Sequence, residues 1–143
     1  MREKYRRFFL AGFIEGEGTL TVVVRHRNNL KFGVSIDPEL YLYQHSRRRA
    51  ILELAKDVFK SGSIYSKADN PNILVFAIRD RRTIYEKVIP FFERYVLPFG
   101  VRYKHSFPVF KEIVERMMRK EHLTYEGIKR LLKLVKKFRA LNK

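Results

Sequence analysis

Leu10-Ala-Gly-Phe-Ile-Glu-Gly-Glu-Gly18 decides how the rest of the chain is read. It opens as an apolar helix and closes with two carboxylates, Glu15 and Glu17, set among glycines. A helix is expected over residues 5–16, because Phe9, Gly12, Phe13 and Gly16 recur at i, i+3, i+4 and i+7 and form one stripe. Leu10 and Ile14 lie on an adjacent face. Each glycine in a helix interior costs about 1 kcal/mol against alanine. Two of them four apart are useful where a second backbone must come close, since no Cβ holds it off. Gly16 and Gly18 have a simpler use as well, in unwinding the helix end. Straight after Gly18 the hydrophobic period becomes that of a strand.

Outward from this stretch the chain alternates. In residues 19–27, Leu20, Val22 and Val24 share one face, and Thr21, Val23, Arg25 and Arg27 the other. Residues 27–30 (Arg-Asn-Asn-Leu) signal a turn. Residues 31–43 alternate again, with Phe32, Val34, Ile36, Leu40 and Leu42 against Lys31, Ser35, Asp37, Glu39, Tyr41 and Tyr43. Pro38 marks an edge position or a bulge. The pair is expected to form a hairpin with one apolar and one polar, aromatic face. Ser46 is a candidate cap for a helix over 47–60 with Ile51, Leu54, Ala55 and Val58 inward. Arg47, Arg48 and Arg49 sit at its N-terminus, the wrong end for cations facing the helix dipole, so an anion nearby would make sense of them.

Short strands follow at 63–67 and 73–79, separated by a turn at 68–72. Ile64, Leu74, Phe76 and Ile78 face the expected core; the second strand is apolar on both parities. Asp80 caps a helix to residue 95 with Tyr85, Val88, Ile89 and Phe92 inward, and Pro90 should kink or restart it. After a loop at 96–102, Ser106 and Pro108 open another helix, and Thr124 caps the last, which carries a row of Lys and Arg. The order is α-ββ-α-ββ-α-α-α. It implies an α+β fold with a four-stranded antiparallel sheet, helices on one face and extra helices at the C-terminus. One domain over 1–143 is expected, with a core over 1–119 and a C-terminal helix over 120–143.

The chain has 143 residues, enough for one domain with a real core, and no cysteine, which excludes disulfides and thiol chemistry. No apolar run is long enough to span a membrane, and charges interrupt the N-terminal apolar residues, so an intracellular, soluble protein is expected. Thirty-one Lys and Arg against fifteen Asp and Glu leave +16. Such an excess points first to nucleic acid. The basic residues are spread along the chain rather than gathered on one amphipathic helix, which disfavours a membrane surface.

The face opposite the apolar one would carry Thr19, Thr21, Val23, Arg25, Arg27, Lys31, Ser35, Asp37, Tyr41, Tyr43, Tyr65 and Lys67. Taken singly, each is an ordinary solvent-facing strand residue. Their shared parity suits a two-stranded ribbon that reads base edges in a major groove. Glu15 and Glu17, close to a basic surface, suit a divalent cation and phosphodiester cleavage. His26, His45, His105 and His122 lack paired ligand spacing, so zinc is not expected, and no phosphate loop or Ser/His/Asp grouping occurs.

Residues 10–18 closely resemble the signature of the LAGLIDADG homing endonucleases. Leu10, Ala11, Gly12, Ile14 and Gly18 are identical to it; Phe13 replaces Leu, Glu15 and Glu17 replace Asp, and Gly16 replaces Ala. The α-ββ-α-ββ-α order over about residues 5–119 is that of the family core. The resemblance implies that motif helices of two units pack together. One motif then implies a homodimer, with Phe9, Gly12, Phe13 and Gly16 at the interface. It places metal binding on Glu17, aided by the Gly16 carbonyl, with Mg²⁺ as cofactor and Mn²⁺ or Ca²⁺ as alternatives in the site. Glu15 then becomes a structural helix-end residue.

The resemblance also assigns Gln44 to positioning the attacking water. Arg48 (or Arg47, one residue earlier) and Lys104 would stabilise charge on the scissile phosphate. The implied partner is double-stranded DNA, with no membrane and no small-molecule substrate. The implied reaction is staggered cleavage, with 3′ overhangs, of a long, near-palindromic site, in a protein carried by an intron. A maturase acting on RNA, or a basic architectural binder that does not cut, are the alternative readings. If charge supplies much of the affinity, binding to duplex DNA measured across a salt series should weaken steeply, with log K falling linearly in log salt. A flat dependence would remove the charge argument.

Overall fold

Helix α1 spans Arg2–Glu17 in the computed structural model, which describes residues 2–142; the terminal positions of the expected 1–143 domain lie outside that range. Leu10, Ala11 and Ile14 bury its inner face. The helix passes into strand β1 (Gly18–His26) without a loop, and only glycine fits the junction: a Cβ on Gly18 would lie 2.8 Å from the Ile14 carbonyl oxygen. β1 pairs antiparallel with β2 (Val34–His45), in a register that runs from Gly18 opposite Leu42 to His26 opposite Val34. The turn between them is longer than expected. It closes through Arg27 N–H to the Gly33 carbonyl at 2.9 Å, and Gly33 takes φ +75°. Arg27 and Lys31 therefore stand in the turn and not on the strands.

The sheet order is β1-β2-β4-β3, with β3 at Ser63–Lys67 and β4 at Asn70–Ile78. Every strand pair is antiparallel. Strand β4 begins three residues earlier than residue 73, at Asn70. Pro38 lies in a central strand, but β4 ends at Ile78 opposite Leu40, so one flank of β2 carries no ladder at Pro38. That reconciles the proline with its position. The registers place odd-numbered residues of all four strands on one face, up to the irregularity between Ser66 and Lys67. Even-numbered Leu20, Val22, Ile36, Leu40, Leu42, Phe76 and Ile78 line the core.

The helices cover that even face. A short 3-10 turn, Ser46–Arg48, precedes α2 (Arg49–Phe59), and the cap is the His45 ring, not Ser46: its Nδ1 accepts from the Arg47 N–H at 3.1 Å. Delaying the helix by two residues rotates its face. Leu52, Ala55 and Phe59 are buried, whereas Ile51, Leu54 and Val58 are half-buried. Helix α3 covers residues 81–96, capped by Asp80, whose carboxylate accepts from the Thr83 N–H at 3.1 Å. Two π turns, Ile84–Val88 and Phe92–Val96, flank Pro90 in place of a break. Wider turns shift the phase. Ile84 and Phe91 accordingly point inward with Val88, Ile89 and Phe92, and Tyr85 is exposed.

Helix α4 (Phe107–Met118) buries Phe107, Phe110, Ile113, Val114 and Met117, as its stripe predicts. Helix α5 (Tyr125–Leu141) is capped by Thr124, which accepts from the Gly127 N–H at 3.0 Å. Near its end Arg139 and Asn142 donate to the Val22 and Leu20 carbonyls of β1 at 3.0 and 2.8 Å. These bonds occupy carbonyls of an edge strand that would otherwise be open to another chain. Gly62, between α2 and β3, takes φ +102°, and a Cβ there would lie 2.5 Å from the Phe76 ring. Gly62→Ala should lower stability by more than about 1 kcal/mol, read as a lower urea midpoint at unchanged slope; an unchanged midpoint would contradict this geometry.

Candidate active site and nucleic-acid interface

The end of α1 is held from the second half of the chain. The last carbonyls of a helix lack intrahelical partners, and α1 has no basic residue in its last turn. Its partners arrive from the loop after α3. The Tyr103 hydroxyl, buried, donates to the Gly18 carbonyl at 2.6 Å, and Arg102 NH1 donates to the Glu15 carbonyl at 3.2 Å. Burial pushes the Tyr103 hydroxyl up to about 12, so it stays a donor. The Glu15 carboxylate closes the joint: its Oε2 accepts from the Val101 and Arg102 N–H groups at 3.0 and 2.9 Å. A Cβ on Gly100 would collide with its other oxygen.

Glu17 differs in every respect. It is exposed, and among the described residues it forms no hydrogen bond or ion pair. No side chain among them donates to the Gly16 carbonyl beside it. This end of the helix carries roughly half a negative charge from the backbone dipole, to which Glu17 adds its own. A cation is the complement such a place calls for. Among the described residues no cluster of three or more His, Cys, Asp or Glu could enclose a metal. One carboxylate and one carbonyl are a small donor set, compatible only with a divalent cation that keeps water or phosphate oxygens as its other ligands.

Beside this end the outer face of α1 is bare. Phe9 is 67% exposed. Gly12 and Gly16 are exposed too, and a Cβ on either would meet nothing within 4 Å. Phe8, Phe9, Gly12 and Phe13 form one wall of an open, apolar groove of about 830 Å³, whose other wall is Ala50, Ile51 and Leu54 of α2. Gln44 and Arg48 also line this groove, and Arg48 NH1 reaches the Gln44 side-chain oxygen at 3.4 Å. Two residues picked out by position are thus brought together. Arg47 turns instead towards His45. Lys104 is exposed on the loop whose neighbours Arg102 and Tyr103 grip the helix end.

The odd face of the sheet holds Thr19, Thr21, Val23, Arg25, Ser35, Asp37, Tyr41, Tyr43 and Tyr65, as parity predicts. Glu39 shares that face but is 2% exposed, not open to solvent. Arg25 NH1 lies 2.7 Å from Asp37 and 2.9 Å from Glu39, which raise the guanidinium pKa, Glu39 more than Asp37. Ser35 joins Arg27 to Asp37, at 3.0 and 2.8 Å. Tyr41 donates to Glu39 and accepts from Arg79 at 3.0 Å, and Arg79 also donates to the Tyr65 hydroxyl. Arg79 and Tyr103 were absent from the sequence expectations. The odd parity of Arg79, one step past β4, was a usable signal; nothing local marks Tyr103. Lys31 sits over the Phe32 ring, and Lys67 follows the strand irregularity, 3.8 Å from Asp69.

The two acids of the motif make opposite predictions for stability. Glu15→Ala should cost about 1–2 kcal/mol and speed hydrogen exchange at the Val101 and Arg102 amides. Glu17→Ala should stay within about 0.5 kcal/mol of wild type. Equal effects in urea unfolding would contradict the division between them.

Residues 10–114 match the family model described as LAGLIDADG endonuclease. The chain is 43% identical over 94 residues to the DNA endonuclease I-CeuI of Chlamydomonas moewusii, covering 66% of this chain and 43% of that protein. Homing endonuclease I-ApeII of Aeropyrum pernix is 26% identical over 118 residues, 82% of this chain and 68% of that one. Among solved structures, I-CeuI complexed with DNA superposes with TM-score 0.88 at 34% identity, over 94% of this chain and 66% of that chain. The archaeal intron-encoded homing endonuclease I-Vdi141I complexed with DNA gives 0.88 at 30% identity, over 99% and 86%. The chain thus spans under half of the curated I-CeuI sequence. On the family-model match over residues 10–114 and these superpositions, it belongs to the LAGLIDADG endonuclease family.

Proposed function

We propose that the chain is a homodimeric, site-specific DNA endonuclease that makes a staggered double-strand break in a long, palindromic or nearly palindromic target, as in intron homing. The observation that carries the proposal is the exposed, unpaired Glu17 carboxylate at the end of a helix whose outer face is bare. A protein that only binds phosphate has no use for a carboxylate there. The relatives named as endonucleases, two of them solved with DNA, support the same reading.

Two copies would pack α1 against α1 through Phe9, Gly12, Phe13 and Gly16, setting two sheets side by side as a saddle. Half-site symmetry then follows protein symmetry. Odd-face side chains would reach base edges in the major groove, while turn and helix-end cations meet phosphates. Glu17 and the Gly16 carbonyl would hold Mg²⁺, or Mn²⁺ or Ca²⁺ in its place, which when bound supplies positive charge to the scissile phosphate and a more acidic water. Gln44 would orient the attacking water. Arg48 and Lys104 would offset charge that grows on the phosphate.

The test is digestion of DNA bearing the native insertion sequence, with and without Mg²⁺. Wild type should cut, and Glu17→Gln should cut at least about a hundredfold more slowly, since even outer-shell partners of a metal are worth roughly 10–100-fold. Tight binding without cleavage would sink the enzyme reading; cleavage that survives Glu17→Gln would sink the metal assignment. Light scattering of the DNA-bound protein should give two chains per duplex, and one chain would refute the dimer.

A further inference from the structure

The centre of the odd face is wired from edge to edge. Arg27, Ser35, Asp37, Arg25, Glu39, Tyr41, Arg79 and Tyr65 form one unbroken series of side-chain hydrogen bonds across all four strands and their flanks. Glu39 is its middle link and its one fully buried member, at 2% exposure. Its two oxygens take Arg25 on the β1 side and the Tyr41 hydroxyl on the β4 side. Arg79 is fixed through Tyr41 and stacks its guanidinium 5.4 and 5.3 Å from the Tyr41 and Tyr65 rings. Apart from Arg27 in the turn, two cations, Arg25 and Arg79, balance the two carboxylates, so the middle of the series carries no formal charge although the chain carries +16.

That arrangement has a consequence for recognition. A free arginine on a strand grips any phosphate, and the energy gained is independent of sequence. An arginine already paired with a buried carboxylate gains little from a phosphate. It keeps unpaired N–H groups in a set direction, which a base edge can use. We propose that Glu39 is the positioning residue of the reading face: by holding Arg25 directly, and Arg79 through Tyr41, it exchanges non-specific phosphate affinity for discrimination between DNA sequences. The proposal rests on the DNA-binding reading above and goes beyond it, because it assigns specificity to a residue that itself need not touch DNA.

The test begins with wild type selecting a duplex from a randomised library. Affinities for the selected duplex and a scrambled one are then measured by fluorescence anisotropy across a salt series, without divalent cation. Glu39→Gln keeps the shape and an oxygen for Tyr41 but removes the buried charge that holds Arg25, leaving it Asp37 alone. It should bind the scrambled duplex several-fold more tightly, with a salt slope steeper by about one phosphate contact, and its selected-to-scrambled ratio should drop at least tenfold. A merely structural loss would weaken both duplexes and leave the slope unchanged.

Tyr41→Phe keeps the ring and every charge and removes the hydroxyl that joins Glu39 to Arg79. It should lower the ratio with no change in slope, and it decides the matter if Glu39→Gln does not fold. Folded variants with the wild-type ratio and slope would overturn the role of Glu39. A wild type that selects no sequence would instead overturn the DNA reading beneath it.

Discussion

The hydrogen bond from the buried Tyr103 hydroxyl to the Gly18 carbonyl joins the two halves of the chain where helix becomes strand. Gly18 leaves no room for a Cβ, so α1 enters the sheet without a loop, and its terminal carbonyls must be satisfied from elsewhere. The loop after α3 does this, and in doing so sorts the two acids of the motif. Residues two apart on a helix point to nearly opposite sides at 3.6 residues per turn. Glu15 therefore faces the loop and is used up by the Val101 and Arg102 amides, while Glu17 faces away and has no partner among the described residues. Two chemically equal carboxylates acquire different surroundings from helical phase alone.

The same logic separates what the sequence shows from what it hides. Strand parity is rigid, because side chains alternate, and it placed Thr19, Thr21, Val23, Arg25, Ser35, Asp37, Tyr41, Tyr43 and Tyr65 on one face. Helical phase is softer. A capping ring at His45 delayed α2, and π turns around Pro90 rotated α3, so Ile51, Leu54, Val58 and Tyr85 moved off the core positions that a uniform period assigns. Lys31 left its strand because Gly33 needs a left-handed turn first. The clamp on α1 is hidden for another reason: Glu15 and Tyr103 lie far apart in sequence, and neither is marked by a local pattern.

Glu39 belongs to a third kind. Parity put it correctly on the odd face, yet it is buried there, since burial depends on neighbours across the sheet rather than on period. Its ion pair with Arg25 takes two charges partly out of water, and the Coulomb gain of such a pair does not by itself ensure net stability. What the pair does supply is direction. With Asp37 and Glu39 balancing Arg25 and Arg79, the chain's positive excess lies elsewhere, among other places on Arg47 and Arg48 before α2, on Arg27 and Lys31 in the first turn, and on the exposed row of α5. On the proposed reading, a neutral centre would separate reading DNA from holding it, the division that a sequence-specific binder of a polyanion must achieve.

One chain on its own is incomplete in two places. The outer face of α1 leaves Phe9 and two glycines open beside an apolar groove, which monomeric proteins rarely expose without a use. The helix end below it offers one free carboxylate where a divalent cation wants more oxygens. The proposed two-fold axis along that face would answer both needs at once. It would cover the groove with its own copy and bring a second Glu17 and a second Gly16 carbonyl towards the first. The glycines would then set how near the two helix ends come, so the packing of the proposed dimer and the donor count at its centre would depend on the same positions. A bulkier residue at Gly12 or Gly16 would part the helices, and with them the two carboxylates.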